Sequence, residues 1–228
     1  MYDVIIIGAG PGGIFSAYEL MKQDENLKIA VFDAGRSLEQ RHCPIDGEKV
    51  KNCIGCKTCA IMNGFGGAGA FSDGKYNITN DFGGTLYEYI GRQKALELMK
   101  YVDTINMSHG GEGTKMYSTA GTDLKKVCLQ NKLKLLDASV RHLGTDVNYV
   151  VLKNLYDEMK DHMDFFFDTP VEKIQVKEDD ILFRQKMRNM RAKNVSCQSD
   201  GAEASGWKPS VRIWKFLPNP TVWISVCV

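Results

Sequence analysis

The chain has no apolar run long enough to cross a membrane, no excess of either charge, and no basic leader ahead of its first apolar stretch. A membrane-spanning helix needs about 20 consecutive apolar residues, whereas the N-terminal run covers only Val4 to Ile7. A transmembrane anchor and a secretory signal peptide are therefore not expected. Lys and Arg number 29 against 28 Asp and Glu, a net charge of +1. That balance argues against a nucleic-acid or membrane-surface role, because neither partner would meet a dominant basic field. With no export signal, the seven cysteines are expected in a reducing cytoplasm, where thiols serve metal or redox chemistry rather than structural disulfides. At 228 residues and 43% hydrophobic content, the chain can bury a core in one or two domains.

What is present is concentrated at the start. Val4 to Ile7 is a β-branched run of the kind that forms a buried parallel strand. Gly8, Gly10 and Gly13 follow at G-x-G-x-x-G spacing, and Ile14 to Lys22 continues as a helix. In such a turn the first glycine permits the tight bend. The second lets a pyrophosphate approach the backbone, and the third lets helix and strand pack closely. The helix N-terminus then offers unpaired N–H groups to phosphate. A second strand, Lys28 to Phe32, ends in Asp33, the acidic position expected to bind a ribose hydroxyl. The expected fold is α/β: an incomplete Rossmann-like FAD-binding domain with a parallel sheet, a β-hairpin or meander, and a long Gly/Cys-rich loop after the second strand. By analogy of fold, FAD is favoured over NAD, because flavoproteins of the two-dinucleotide-fold type resemble this chain in opening with the unit and leading into a long excursion rather than another short βα repeat.

Residues 34–80 hold little regular pattern and many Gly and Cys, as expected of a functional loop insertion. Within it, Asn63 to Lys75 is too glycine-rich for a helix or strand interior, and Phe65 and Phe71 argue against a floppy linker. Residues 84–107 show helical spacing through Leu86, Tyr89, Ile90, Leu96, Met99, Val102 and Ile105. Leu133 to Leu136 is expected as a short strand. Val147 to Met163 is expected as an amphipathic helix burying Val150, Val151, Leu155, Met159 and Met163. Asp164 to Phe167 follows as a third parallel strand, broken by Thr169-Pro170. Val171 to Val176 and Ile181 to Phe183 then form a hairpin around Asp179-Asp180.

Several of these segments together resemble a bacterial family of FAD-dependent dehydrogenases. They are Asp3–Gly13, Asp33-Ala34-Gly35, the cysteine cluster, the run Gly64 to Lys75, and Arg141-His142-Leu143-Gly144-Thr145-Asp146. The likeness spans residues 2–183 and rests most on Gly-Phe-Gly-Gly-Ala-Gly-Ala-Phe-Ser-Asp-Gly-Lys. The resemblance implies that Gly66, Gly67, Ser72 and Lys75 lie along the FAD. It also implies a longer protein with a substrate-facing portion. The expected activity is that of an oxidoreductase whose flavin takes a hydride or electrons from a small-molecule substrate or electron carrier. No side chain is assigned as catalytic acid or base.

Cys43 precedes the run Cys53-Ile54-Gly55-Cys56-Lys57-Thr58-Cys59. Cys43, Cys53, Cys56 and Cys59 could ligate zinc or an iron–sulfur cluster. Alternatively they serve as a dithiol relay to the flavin, or stay unliganded. A non-enzymatic metal or iron–sulfur module on a Rossmann-like unit is the rival reading. Cys128 and Cys227 fit ordinary apolar positions. His142 lies in a polar stretch before a helix, as a base or as a loop histidine bound to backbone, with Asp146 placed to cap Val147 onward. His42, His109 and His162 show no partner pattern.

From Arg184 the texture changes. Residues 185–193 are basic with no apolar face, and Trp207, Trp214, Phe216 and Trp223 follow no helix or strand period. One codon choice for Ser196–Lys208, read from the third base, spells M-S-V-G-R-S-G-S-K-W-M-E, the strand and glycine turn that the resemblance leads one to expect here. The division expected is therefore a partial FAD-binding domain over 1–183 and a frameshift-derived, disordered tail over 184–228. On this reading the chain is an inactive N-terminal fragment.

Overall fold

β1 (Tyr2–Ile7) is a central strand because Val4, Ile5 and Ile6 can be buried in succession. A strand covered on both faces has no need of alternation. The computed structural model describes residues 2–171 in full, together with the backbone of 173–176, 181–185 and 188–197. Its contacts divide the chain into two units, Met1–Ala70 with Tyr156–Val228, and Phe71–Leu155.

In the first unit α1 (Pro11–Gln23) follows β1 and buries Gly13, Ile14, Ala17, Tyr18 and Met21, one stripe at helical period. β2 (Ile29–Phe32) is buried at all four positions. A 3-10 turn at Leu38–Gln40 and another at Gly67–Phe71 punctuate the long loop after it.

The second unit holds β3 (Lys75–Ile78), α2 (Leu86–Ile90), α3 (Arg92–Asn106), β4 (Met116–Ser118), α4 (Leu124–Gln130) and β5 (Ser139–His142). Its sheet has the antiparallel order β3-β5-β4. Asp103 of α3 grips Arg141 of β5 through Nε at 2.7 Å and Nη2 at 2.9 Å, and Arg141 also donates to the Thr114 carbonyl. Hydrogen bonding to Asp103 holds the guanidinium above its ordinary pKa, against the partial burial of the pair. α5 (Thr145–Met159) starts in this unit and ends in the first.

The chain then returns to the first sheet as β6 (Asp164–Phe166), β7 (Lys173–Val176), β8 (Ile181–Gln185) and β9 (Arg188–Cys197). The order is β6-β2-β1-β9-β8-β7. β6, β2, β1 and β9 run parallel, while β7, β8 and β9 form an antiparallel meander. Phe32 stacks on Phe166 at 4.6 Å across β2 and β6. Among the described residues no helix is long and apolar enough to cross a membrane.

The α/β class, the parallel strands β1, β2 and β6 and the hairpin agree with the sequence reading. Four local expectations are corrected. Residues 133–136 form no strand, and Leu133 and Leu136 are exposed; apolar content without burial leaves nothing to stabilise one. Val150 is exposed while Val151, Leu155 and Met159 are buried, because a stripe at i, i+4, i+8 leaves a residue one step away on another face. The helix begins at Thr145 and ends at Met159, so Asp146 lies inside its first turn and Met163 beyond its end. The tail expected to be disordered from residue 184 instead continues β8 to Gln185 and supplies β9, which pairs with β1 from Tyr2↔Ala192 to Ile7↔Cys197. Backbone hydrogen bonding to two neighbours orders this segment without an apolar period. The rest of the expected tail, 198–228, lies outside the described residues.

Candidate functional site: the glycine turn beside β1

The first unit builds a turn at the C-terminal end of β1. Gly8 has φ of 97°, in the left-handed region that favours glycine, and its N–H donates to the Phe32 carbonyl at 2.7 Å. Gly10 caps α1 with no side-chain hydrogen bond, and Pro11 starts the helix. A Cβ at Gly13 would collide with the Gly8 carbonyl oxygen, so the third glycine is required for helix and turn to pack. No side-chain cap thus covers the helix start, where the first-turn N–H groups lack intrahelical partners. The turn also lies at the carboxyl end of β1, flanked by β2 on one side and β9 on the other. This is the switch point where open α/β sheets bind ligands.

Asp33 closes the turn from below and is buried. Its Oδ2 accepts the Ala9 N–H at 2.7 Å and its Oδ1 accepts the Gly35 N–H at 2.7 Å. The Asp33 peptide joins β6 as well, its N–H donating to Phe166 at 3.0 Å and its carbonyl accepting from Thr169 at 2.8 Å.

The second glycine segment reaches the same turn. Gly66 donates its N–H to the Ala9 carbonyl at 2.8 Å, and Gly67 donates to Gly64 at 2.9 Å. Gly64, Gly66 and Gly67 all have positive φ. Phe65 anchors the segment, fully buried with Tyr156, Phe165 and Phe167 at ring distances of 5.1, 5.9 and 6.4 Å. Arg41, which the sequence reading did not single out, is buried behind this loop. It donates from Nε to Ala60 at 2.8 Å, from Nη2 to Ile61 at 2.7 Å and from Nη1 to Phe65 at 2.6 Å. A lone arginine in a patternless stretch carries no signal of such a role.

The structure thus brings Gly8, Gly10, Gly13, Asp33 and Gly66 together, with Gly67 in the adjoining turn. Ser72 and Lys75 belong to the second unit. There Ser72 Oγ accepts the Gly74 N–H at 3.3 Å, and Lys75 opposes His142 in the β3–β5 register. Two segments noted separately in the sequence meet at this point. Leu143 donates to the Gly74 carbonyl and Gly144 to that of Asp73, both at 2.9 Å. His142 Nε2 stands 3.5 Å from Asp73 Oδ2, both side chains exposed. His142 ends β5 rather than lying in a loop. His109 is buried, its Nδ1 2.7 Å from the Ile105 carbonyl. Tyr76 donates to Asn148 Oδ1 at 2.9 Å, and burial followed by the Asp103 charge pushes its pKa up. A cavity of about 510 Å³ lies between α3 and the second sheet, and none of the sequence-predicted site residues line it.

The described residues lend the metal expectation no support. Cys43, Cys53 and Cys56 are exposed and Cys59 half-buried. Among the described residues no group of three or more His, Cys, Asp or Glu side chains is arranged to hold a metal ion. Sequence proximity of thiols does not converge their sulfurs, because the loop backbone follows other contacts. Asp46 shapes it by accepting N–H groups of Val50 at 2.8 Å, Glu48 at 2.9 Å and Lys49 at 2.8 Å, which hold its carboxyl below the usual range.

No family model matches the chain, and no curated protein matches it. Solved structures of similar arrangement include glycine oxidase from Bacillus cereus ATCC 14579, 12% identical with a TM-score of 0.46, covering 87% of this chain and 55% of that one. Glycine oxidase from Geobacillus kaustophilus is 15% identical with a TM-score of 0.45, covering 86% and 54%. An L-amino acid deaminase from Proteus vulgaris is 12% identical with a TM-score of 0.42, covering 87% and 53%. The chain spans about half the length of these structures, and at such scores the likenesses carry no argument about activity or substrate.

Proposed function

We propose that the first unit binds FAD and that the chain belongs to a flavin-dependent oxidoreductase. The observation that carries this reading is the junction of two glycine segments at one turn, Gly66 N–H to the Ala9 carbonyl at 2.8 Å, beside an uncapped helix start. A pyrophosphate would meet backbone there, with Gly10 leaving room and the first-turn N–H groups of α1 donating. Asp33 keeps acceptor capacity, since each carboxylate oxygen offers two lone pairs and one backbone donor occupies each. A ribose hydroxyl would take the remainder. What favours FAD over NAD is the excursion from residue 33 to 163 before the third parallel strand. That is a likeness of architecture rather than of chemistry. FAD, when bound, supplies the redox step; this unit's residues bind and orient it.

The test is titration of the purified chain with FAD, followed by flavin fluorescence. The wild-type chain is expected to bind saturably. Gly10→Val is expected to lose binding, because a branched side chain occupies the place of phosphate approach. Equal affinity in that variant overturns the assignment.

A further inference from the structure

We propose that Arg41 is a positioning residue for the dinucleotide turn, acting through the single peptide between Phe65 and Gly66. This inference rests on the reading that the turn takes the FAD pyrophosphate. The carbonyl of that peptide accepts Arg41 Nη1 at 2.6 Å, and its N–H donates to the Ala9 carbonyl at 2.8 Å. The N–H of Ala9 in turn donates to Asp33 Oδ2 at 2.7 Å. The Phe65–Gly66 peptide thus links a buried guanidinium to the Ala9–Gly10 peptide, and on the other side of the Ala9 Cα the N–H of that residue is held by a buried carboxylate. The guanidinium charge polarises the Phe65–Gly66 peptide, which strengthens the bond its N–H gives to Ala9 in a low-dielectric interior. The guanidinium fork also fixes Ala60 and Ile61, so the segment entering Gly64 has its direction set by one side chain.

Gly64 supports the same assignment independently. A Cβ there would stand 2.4 Å from the Arg36 carbonyl oxygen and 2.8 Å from Arg41 Cδ, and the residue has φ of 110°. The Arg36 backbone and the stem of Arg41 together occupy the place where any other residue would put its side chain. Phe65 adds a bond from its N–H to the Arg36 carbonyl at 3.1 Å, but its ring, not its backbone, supplies the burial. Lysine cannot replace Arg41, since an ammonium on a flexible stem does not reproduce three donors in a planar fork.

Arg41→Lys, Gly64→Ala and Phe65→Leu are compared with the wild-type full chain. Phe65→Leu serves as a packing control that loses stability without removing a guanidinium bond. FAD affinity and amide hydrogen exchange in the cofactor-free protein are measured for each. Arg41→Lys is expected to weaken FAD binding on the order of tenfold, as loss of hydrogen bonds to a charged group would, and Gly64→Ala to weaken it as well by pushing the Arg36 backbone and the Arg41 stem out of place. The amides of Ala9 and Gly66 should lose protection while those of β1 and β2 keep it. Phe65→Leu should change affinity less at equal or greater loss of stability. Added methylguanidinium is expected to restore FAD binding partly in Arg41→Ala. A wild-type chain that binds no FAD overturns the functional reading and this inference with it. Wild-type binding with unchanged affinity and unchanged Gly66 protection in Arg41→Lys overturns this inference alone. Loss of β1 and β2 protection together with Gly66 also overturns it, by showing a global effect.

Discussion

The carboxylate of Asp33 lies 2.7 Å from the backbone N–H of Ala9, 24 residues earlier in the chain and inside the glycine turn. The bond ties the end of β2 to the loop that follows β1, and Asp33 holds Gly35 in the same way. An acidic residue at this point therefore shapes the glycine turn through backbone hydrogen bonds.

Asp33→Asn tests that role. An amide presents one acceptor and one donor group, so either Ala9 or Gly35 faces an N–H instead of an oxygen. A buried donor left unpaired costs about 1–3 kcal/mol. Urea denaturation is expected to show a loss of that size, with weaker FAD binding. Unchanged stability would remove Asp33 from the architecture of the turn.

Gly13 and Gly69 make a matched pair. A methyl at Gly13 meets the Gly8 carbonyl, whereas a methyl at Gly69 meets nothing within 4 Å. Gly13→Ala is expected to cost about 1–3 kcal/mol as overpacking does. Gly69→Ala should stay within about 0.5 kcal/mol of wild type. Equal midpoints for the two variants would contradict the packing described for α1.

Phe65 is fully buried among three aromatic rings. Truncation to alanine removes that contact area and leaves a cavity, at a cost of about 3–5 kcal/mol. The expected result is a large drop in the unfolding midpoint. A small drop would show that the Gly64–Gly67 segment does not depend on this anchor.

Tyr2 gives a pH dependence. Burial, and then hydrogen bonding to the Asp164 carboxylate and its charge, push the phenol pKa up to about 12. The folded value lies above the unfolded one near 10. The neutral phenol is thus favoured by folding, and its contribution is complete below about pH 10 and lost as pH rises toward 12. Thermal unfolding across this window should fall more steeply for wild type than for Tyr2→Phe. Parallel curves would exclude the Tyr2–Asp164 bond as a source of stability.

We propose that the segment after residue 184 is translated out of frame. One base out, codons for Ser196–Lys208 can spell a glycine turn, and β9 ends at Cys197 opposite Ile7, at the level where β1 enters its own turn. Resequencing codons 178–200 is expected to show the offset. A confirmed frame, with a soluble and cooperatively folding chain of this length, would overturn it.

The order strand, glycine turn, helix, strand was legible because each part depends on neighbours in sequence. Val4 to Ile7 and Ile29 to Phe32 announce buried strands by composition, and Gly8 and Gly13 are demanded by local geometry. The second sheet was not legible. β3, β4 and β5 are three or four residues long and join positions far apart, such as Lys75 with His142. Strands so short carry too few side chains to show a period.

The sequence by itself determined the α/β class, the glycine turn and the acidic end of β2, because backbone sterics and burial on both strand faces act over a few consecutive residues. Only the tertiary structure decided that β9 would occupy the place beside β1 and that Cys43, Cys53 and Cys56 would be exposed. It also decided that Arg41 would hold the second glycine segment against the first. Those outcomes depend on pairings between residues tens to nearly two hundred positions apart, such as the hydrogen bond from Gly66 to Ala9 and the register of Ile7 with Cys197. No local pattern encodes such a pairing, since the partners are chosen by the fold that encloses them.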